Sequence, residues 1–220
     1  LLRKAANQRR GIRAHLRFEG IRVGFNAQLA VSVDHLEFIK LPGVRSGDKQ
    51  LRLLGGEPTC HTELVPIIDR ALARGFQVHL FSNCMMPARV ADYLASLPAD
   101  KVSLLANVSI SENDTLEQKK RVEYALSVLG KRVQPGITVI SPDFEYRYLL
   151  YLIDRYQLRR RIRVGIAQPI VGHDNAFLPP EQYRTTGKAL VQMALECEGR
   201  DVLIGFDCGL IKRSAFCFER

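Results

Sequence analysis

The residues of this 220-residue chain whose types and spacing best suit chemistry sit at 55–58, within the stretch LRLLGGEPTCHTEL. Gly55 and Gly56 have no side chains, so a ligand can come close enough to touch backbone amides and carbonyls. Glu57 adds an acceptor for a cationic group, and Pro58 fixes the exit of the chain. A ligand bearing an ammonium would be well served there. A tight turn whose glycines serve geometry alone accounts for the same residues, and the stretch by itself does not choose. Cys60, His61 and Glu63 follow at once and are metal-capable types. A histidine in such a turn more commonly caps it through local hydrogen bonds.

Those residues need a scaffold, and the flanking pattern supplies one. LRLLG at 51–55 reads as a short strand, and ELVPIIDRALARG carries Leu64, Ile67, Ile68, Ala71 and Leu72 at helical spacing before Gly75 stops it. The alternation continues with strands at 76–83, 102–110, 135–141, 162–169 and 202–207. Helical patterns lie between them: PARVADYLASLP, then 115–130, 144–158 and 180–199. Six strands alternating with helices imply an α/β fold with a parallel sheet and its helices outside. Right-handed crossovers leave two solutions, a partial (β/α)6 TIM-like barrel or a flat doubly wound sheet. Ahead of residue 50, VSVDHLEFIKLPG at 31–43 looks like a helix with no strand before it, so the first strand is apparently missing.

Ligands of such parallel sheets bind at the C-terminal ends of the strands in either solution. Those ends hold Gly55, Gly56 and Glu57, then Ser82 and Asn83, Asn107 and Ser109, Ser141, Gln168 and Asp207. Polar groups gather where each apolar run finishes. Asn107 and Ser109, two apart on a strand, face one side of it.

In that setting LLGGEPTCH resembles the GGEP motif of the radical S-adenosylmethionine superfamily. The likeness runs over roughly residues 31–209 and implies a barrel of the TIM type. It implies that Gly55, Gly56, Glu57 and Pro58 hold the amino group of the methionine moiety. FSN at 81–83 is similar to the family's third-strand end, which brings in Ser82 and Asn83. ANVS at 106–109 falls where the family contacts ribose, which implicates Asn107 and Ser109. GITVIS falls at the fifth strand, with Ile137 against adenine, and GIAQP at the sixth, with Gln168 near the adenine edge.

The resemblance also implies a [4Fe–4S] cluster held by a CxxxCxxC loop, and no such spacing exists in residues 1–220. Two explanations stay open. Either the first strand and cluster loop lie ahead of Leu1, or this is a barrel that lost its cysteines. The resemblance divides the chain into a core barrel at 1–200 and, from 201 to 220, the start of an extension. There Cys208 and Cys217 of FDCGLIKRSAFCFER are possible ligands of an auxiliary cluster, or two cysteines of a hairpin. Complete members would cleave S-adenosylmethionine to a 5′-deoxyadenosyl radical with an electron from a donor such as flavodoxin or ferredoxin. A peptide or protein is the substrate class implied, and a fragment without cluster cysteines would not be catalytic.

Composition narrows the remainder. With hydrophobic residues at 46% and charged ones at 25%, the chain is ordinary for a globular protein, and no apolar run approaches a membrane span. Five scattered cysteines suit a reducing cytoplasm better than a disulfide scaffold. The net charge of +9 gathers in the N-terminal LLRKAANQRRGIRAHLR and in RYQLRRRIR at 155–163. Nucleic acid is the partner such charge invites, and it underlies the second reading, a non-catalytic barrel that binds RNA or an acidic protein. Neither run interleaves aromatics as a single-strand groove does.

Overall fold

The computed structural model describes residues 13–18, 21–25, 50–54, 56–108, 114–169 and 174–206. The helix expected at 31–43, together with Gly55, Ser109, Cys208 and Cys217, lies outside them.

Eight strands form one sheet: β1 (Arg13–Phe18), β2 (Ile21–Phe25), β3 (Gln50–Leu54), β4 (Gln77–Ser82), β5 (Val102–Ala106), β6 (Val133–Val139), β7 (Arg161–Ile166) and β8 (Leu203–Phe206). Their spatial order is β2-β1-β3-β4-β5-β6-β7-β8. From β3 to β8 every neighbouring pair is parallel, as the alternating pattern required. Five helices make the crossovers: α1 (Leu64–Ala73), α2 (Ala88–Ser96), α3 (Leu116–Leu129), α4 (Arg147–Tyr156) and α5 (Tyr183–Glu198).

The order settles the choice between the two solutions. Six parallel strands that neighbour one another in sequence order, joined by right-handed crossovers, place every helix on the same face. A doubly wound sheet reverses its order partway and covers both faces. This sheet is singly wound, and a side-chain contact shows its curvature. The Arg163 guanidinium on β7 lies 5.7 Å from the ring centre of Phe81 on β4. In a flat sheet three strand spacings would hold the two backbones about 14 Å apart. The sheet is therefore rolled into part of a barrel.

At the other edge, among the described residues, no parallel strand stands ahead of β3; an antiparallel hairpin that the sequence reading did not foresee lies there instead. A hairpin, β1 with β2, precedes β3, and β1 pairs with β3 in the antiparallel sense. Sequence reading assigned this region to a basic stretch, although RAHLRF and IRVGF alternate strictly, with Ala14, Leu16 and Phe18 and then Ile21, Val23 and Phe25 at every second position; the arginine count was read as charge and the period-2 signal was missed.

The sheet's two faces differ sharply. Leu51, Leu53, Val78, Leu80, Val102 and Leu104 alternate into the helix-facing core at 1% exposure or less. From the helices come Ile67, Ile68, Leu94, Leu126, Leu149 and Met193, all buried. Burying each such side chain contributes about 1.5–3 kcal/mol, so this layer dominates stability. The alternate strand positions face inward, into the barrel lumen, and are only half-buried.

Polar bonds link the outer helices. The Tyr93 hydroxyl on α2 donates to Asp69 of α1, and that of Tyr124 on α3 donates to Asp92 of α2, each at 2.6 Å. Tyr146, beside α4, donates to Glu196 of α5 at 2.6 Å. α3 opens on a reciprocal capping box formed by Thr115 and Gln118.

Candidate functional site

The turn after β3 is built around the Glu57 carboxylate. Oε1 accepts from the Thr59 hydroxyl at 2.6 Å, the Thr59 amide at 3.2 Å and the Ser82 hydroxyl at 2.8 Å. Oε2 accepts from the Asn83 amide at 2.8 Å. One half-buried acid thus ties its own 3-10 turn, Pro58–Cys60, to the end of the neighbouring strand β4. Pro58 occupies the first position of that turn, where its missing amide costs nothing. Gly56 is exposed and has φ of +54°, a left-handed conformation suited to glycine.

The lock extends along the β4 end. Ser82 Oγ donates to Glu57 and accepts from the Cys84 amide at 3.0 Å, while Asn83 Oδ1 accepts from the Met85 amide at 2.8 Å. Cys84 is fully buried with φ of +63°, a conformation costly for a non-glycine residue. Burial, reinforced by the Glu57 charge, pushes its thiol up to about 12. It is a packed thiol and no nucleophile. The Cys60 thiol is raised for the same two reasons, burial first, with Arg121 opposing. His61 Nδ1 accepts from the Glu63 amide at 3.1 Å, the local cap expected of it.

Of the residues expected at the site, Glu57, Ser82 and Asn83 come together in direct hydrogen bonds, with Pro58 in the same turn. Asn107 lies just past the end of β5, at Ala106; its amide donates to the Ser82 carbonyl at 3.1 Å. Its Oδ1 stands 2.9 Å from where a Cβ on Gly136 would be, so Asn107 reaches across to β6. β5 ends at Ala106, one residue before Asn107, and Ser109 lies outside the described residues. Ile137 packs against the helix-facing core, while its neighbours Gly136 and Thr138 share the lumenal side of β6. A lumenal adenine would meet those two residues. Gln168 is exposed after β7, and its carbonyl accepts from Asn175 at 3.0 Å. Thr59 was overlooked in the sequence; a buried threonine two residues after an acid is the signal that could have found it.

Below the mouth lies a lumenal face unforeseen from the sequence. Cα register places Arg52, His79 and Ser103 in one row across β3, β4 and β5. His79 Nδ1 and Ser103 Oγ are 2.6 Å apart. The other ring nitrogen, Nε2, is buried and has no hydrogen-bond partner among the described residues. Burial holds the imidazole below its ordinary range, and Arg52 and Arg159 depress it further, so the ring is neutral near pH 7. Farther round, Gln134, Arg161 and Arg163 share the same face by register and alternation. Among the described strand positions on that face there is no Asp or Glu.

The barrel is matched by solved structures. No protein-family model matches the chain, and no curated protein matches it. Streptococcus suis SuiB resembles it at 12% identity and a TM-score of 0.50, and SuiB bound to S-adenosylmethionine at 12% and 0.51. A third structure, SuiB bound to the precursor peptide SuiA, has a TM-score of 0.48. In the first two, 69% of this chain is covered, and the chain spans 37% of SuiB. At such identity the likeness is one of fold.

Proposed function

We propose that this chain is the S-adenosylmethionine-binding barrel of a radical S-adenosylmethionine enzyme. The observation that carries the reading is the Glu57 lock. It holds the turn after β3 rigid at the C-terminal mouth of a parallel half-barrel, beside an exposed left-handed Gly56. The GGEP resemblance and the fold shared with a structure bound to S-adenosylmethionine support the choice of ligand.

The chain's residues fit that ligand in a definite way. Gly56 offers backbone that a methionine moiety can approach without meeting a Cβ. Glu57 acts chiefly as the organiser of the turn. Its Oε2 takes one described hydrogen bond and so keeps capacity for an ammonium. Asn107, at the rim and over Gly136, is placed for the ribose hydroxyls. Gly136 and Thr138 form the lumenal wall nearest an adenine.

An iron–sulfur cluster does not fit the residues at hand. Among the described residues the cysteines Cys60, Cys84 and Cys197 stand apart, and no three His, Cys, Asp or Glu side chains group to hold a metal. No CxxxCxxC occurs in the sequence. The mechanism derived from this chain is therefore limited to binding and orienting S-adenosylmethionine and keeping water from its buried side. Radical cleavage, a peptide substrate and an electron donor are proposals for the protein of which this barrel is the core.

Isothermal titration of the chain with S-adenosylmethionine tests the reading. Saturable binding that weakens at least tenfold in Gly56→Val is the expected result. Absence of binding, together with RNA affinity that falls steeply with salt, would replace it with the RNA-binding barrel.

A further inference from the structure

Gly136 stands inside β6 with no backbone reason to be a glycine. The described glycines with left-handed φ are Gly56, Gly75 and Gly130, and Gly136 is not among them. An alanine could therefore adopt its conformation. A glycine in a strand interior weakens the strand, through the entropy lost on folding and the missing side chain. Such a residue is kept where another group needs the space that a Cβ would fill.

That group is Asn107. Register places Ala106 opposite Pro135, which brings the next residues, Asn107 and Gly136, side by side at the mouth. A Cβ on Gly136 would stand 2.9 Å from Asn107 Oδ1, inside ordinary van der Waals contact. The Arg163 carbonyl and Cβ would follow at 3.3 Å and 3.5 Å, contacts that a small shift relieves. The Asn107 oxygen is the far end of a side chain and can turn away. An alanine would thus move Asn107 and leave the strands nearly in place. Gly136 is buried while Asn107 is exposed, as expected of a carboxamide laid over a bare stretch of backbone.

The Asn107 backbone is held from the opposite direction. Its amide donates to the Ser82 carbonyl at 3.1 Å, and the Ser82 hydroxyl donates to Glu57. With the backbone tied to the Glu57 turn, what stays free is the side-chain rotamer. The empty Cβ position of Gly136 selects it.

We infer that Gly136 is a positioning residue for ligand binding, which by lacking a Cβ seats the Asn107 carboxamide where it holds the nucleoside half of the ligand. That the ligand is S-adenosylmethionine rests on the reading above; the seat itself stands on the contact between the two residues. A carboxamide offers both a donor and an acceptor to a pair of ribose hydroxyls. Such groups must be held within about 0.5 Å of their productive place, so a displaced Asn107 loses both bonds.

The test uses the full 220-residue chain, with isothermal titration of S-adenosylmethionine and urea unfolding. Gly136→Ala is expected to bind at least fivefold more weakly, with a urea midpoint no lower than the parent's. Gly199→Ala, the same change just past the end of α5, is expected to bind as the parent does. The second readout is one that a merely structural role would not move. Adenosine and 2′,3′-dideoxyadenosine, which lacks the ribose hydroxyls, compete separately against S-adenosylmethionine. The parent is expected to prefer adenosine, and the preference to vanish in Asn107→Ala and in Gly136→Ala alike. The double variant is expected to bind as Asn107→Ala does, since the added methyl then meets no carboxamide.

The inference is overturned when Gly136→Ala binds as tightly as the parent or keeps the adenosine preference. It is equally overturned when the methyl costs the same affinity with Asn107 absent, because the methyl would then touch the ligand directly. Should Gly136→Ala lose cooperative unfolding, NMR of the parent decides. A nuclear Overhauser contact between the Asn107 side chain and the Gly136 Hα protons supports the seat, and its absence removes it. A parent that does not bind S-adenosylmethionine removes the earlier reading and this one with it. A parent that binds, beside a Gly136→Ala that binds equally well, removes this one alone.

Discussion

The mouth of this barrel and its lumen, a few residues apart on the same strands, solve opposite problems. At the mouth, the Glu57 carboxylate is met by four donors from Thr59, Ser82 and Asn83. In the lumen, His79 keeps a buried nitrogen that has no hydrogen-bond partner among the described residues, in the field of Arg52 and Arg159. A saturated polar network rigidifies what it joins. An unsaturated one stores a cost that a ligand can relieve. The difference teaches that the recognisable motif is largely scaffold, and that capacity for ligands lies beside and beneath it.

The largest effect expected from this comparison is at the mouth. Glu57→Ala orphans the Thr59, Ser82 and Asn83 donors, and hydrogen bonds to a charged acceptor are worth about 1.5–3 kcal/mol each when buried. Because the carboxylate is half-buried and its bonds are cooperative, the expected loss is about 4 kcal/mol in urea unfolding. Binding of S-adenosylmethionine should vanish with it. A loss below about 1 kcal/mol would show the network to be surface decoration and would erase the contrast.

Next in size is a pair of adjacent leucines on β5 that face opposite ways. Leu104 points to the helices at 1% exposure, while Leu105 is half-buried on the lumenal side. Leu104→Ala should cost about 3 kcal/mol through lost transfer energy and the cavity left behind. Leu105→Ala, already in partial contact with solvent, should cost about 1 kcal/mol. Equal costs would mean that the lumen is packed as tightly as the core and has no room for a substrate.

These faces explain what the sequence could tell. Apolar periodicity located the parallel strands and the helices between them, because burying one face of each against the other leaves a regular trace. Helix ends were legible where a cap or a glycine marked them, as at Thr115 and Gly130. The hairpin β1–β2 left a trace too, Ala14, Leu16 and Phe18 and then Ile21, Val23 and Phe25 at every second position, but its strands are short and the arginines between drew the reading to charge. At the site, Gly56 and Glu57 were readable as an unusual run, yet two partners of Glu57, Ser82 and Asn83, lie 25 and 26 residues away and are brought to it only by strand pairing. Ile137 was placed against a ligand by the resemblance of GITVIS to a family strand; register, invisible locally, packs its side chain against the helix-facing core. The lumenal arginines were likewise legible as charge and not as a cluster. Their approach depends on how far the sheet rolls.

A pH experiment sharpens the lumenal side. The folded chain holds the His79 imidazole below its ordinary value of 6.5, by burial first and then by Arg52 and Arg159. Above that value both folded and unfolded chains carry a neutral ring, and the group leaves stability unchanged. As pH falls through it, the unfolded chain takes up a proton that the folded one resists, so stability drops. Between pH 7.5 and 5.5 the urea midpoint of the parent should therefore fall further than that of His79→Gln. Equal falls would mean that the ring titrates freely and is not enclosed.

The smallest expected change in stability belongs to Arg52→Gln, and its value lies in what else it moves. Arg52 has one described hydrogen bond, a long 3.5 Å contact to Gln50, and a half-buried arginine so held contributes within about 0.5 kcal/mol. Yet its charge is the second cause of the lowered His79 titration, so its removal should raise the imidazole toward its ordinary value without reaching it, because burial persists. Ring NMR against pH reads that shift directly. An unchanged urea midpoint with a raised His79 titration would show that the two side chains share a field while doing little for the fold. A His79 that titrates identically in both proteins would mean that the guanidinium does not reach the ring, and the lumen would then be a set of separate polar positions instead of one cradle.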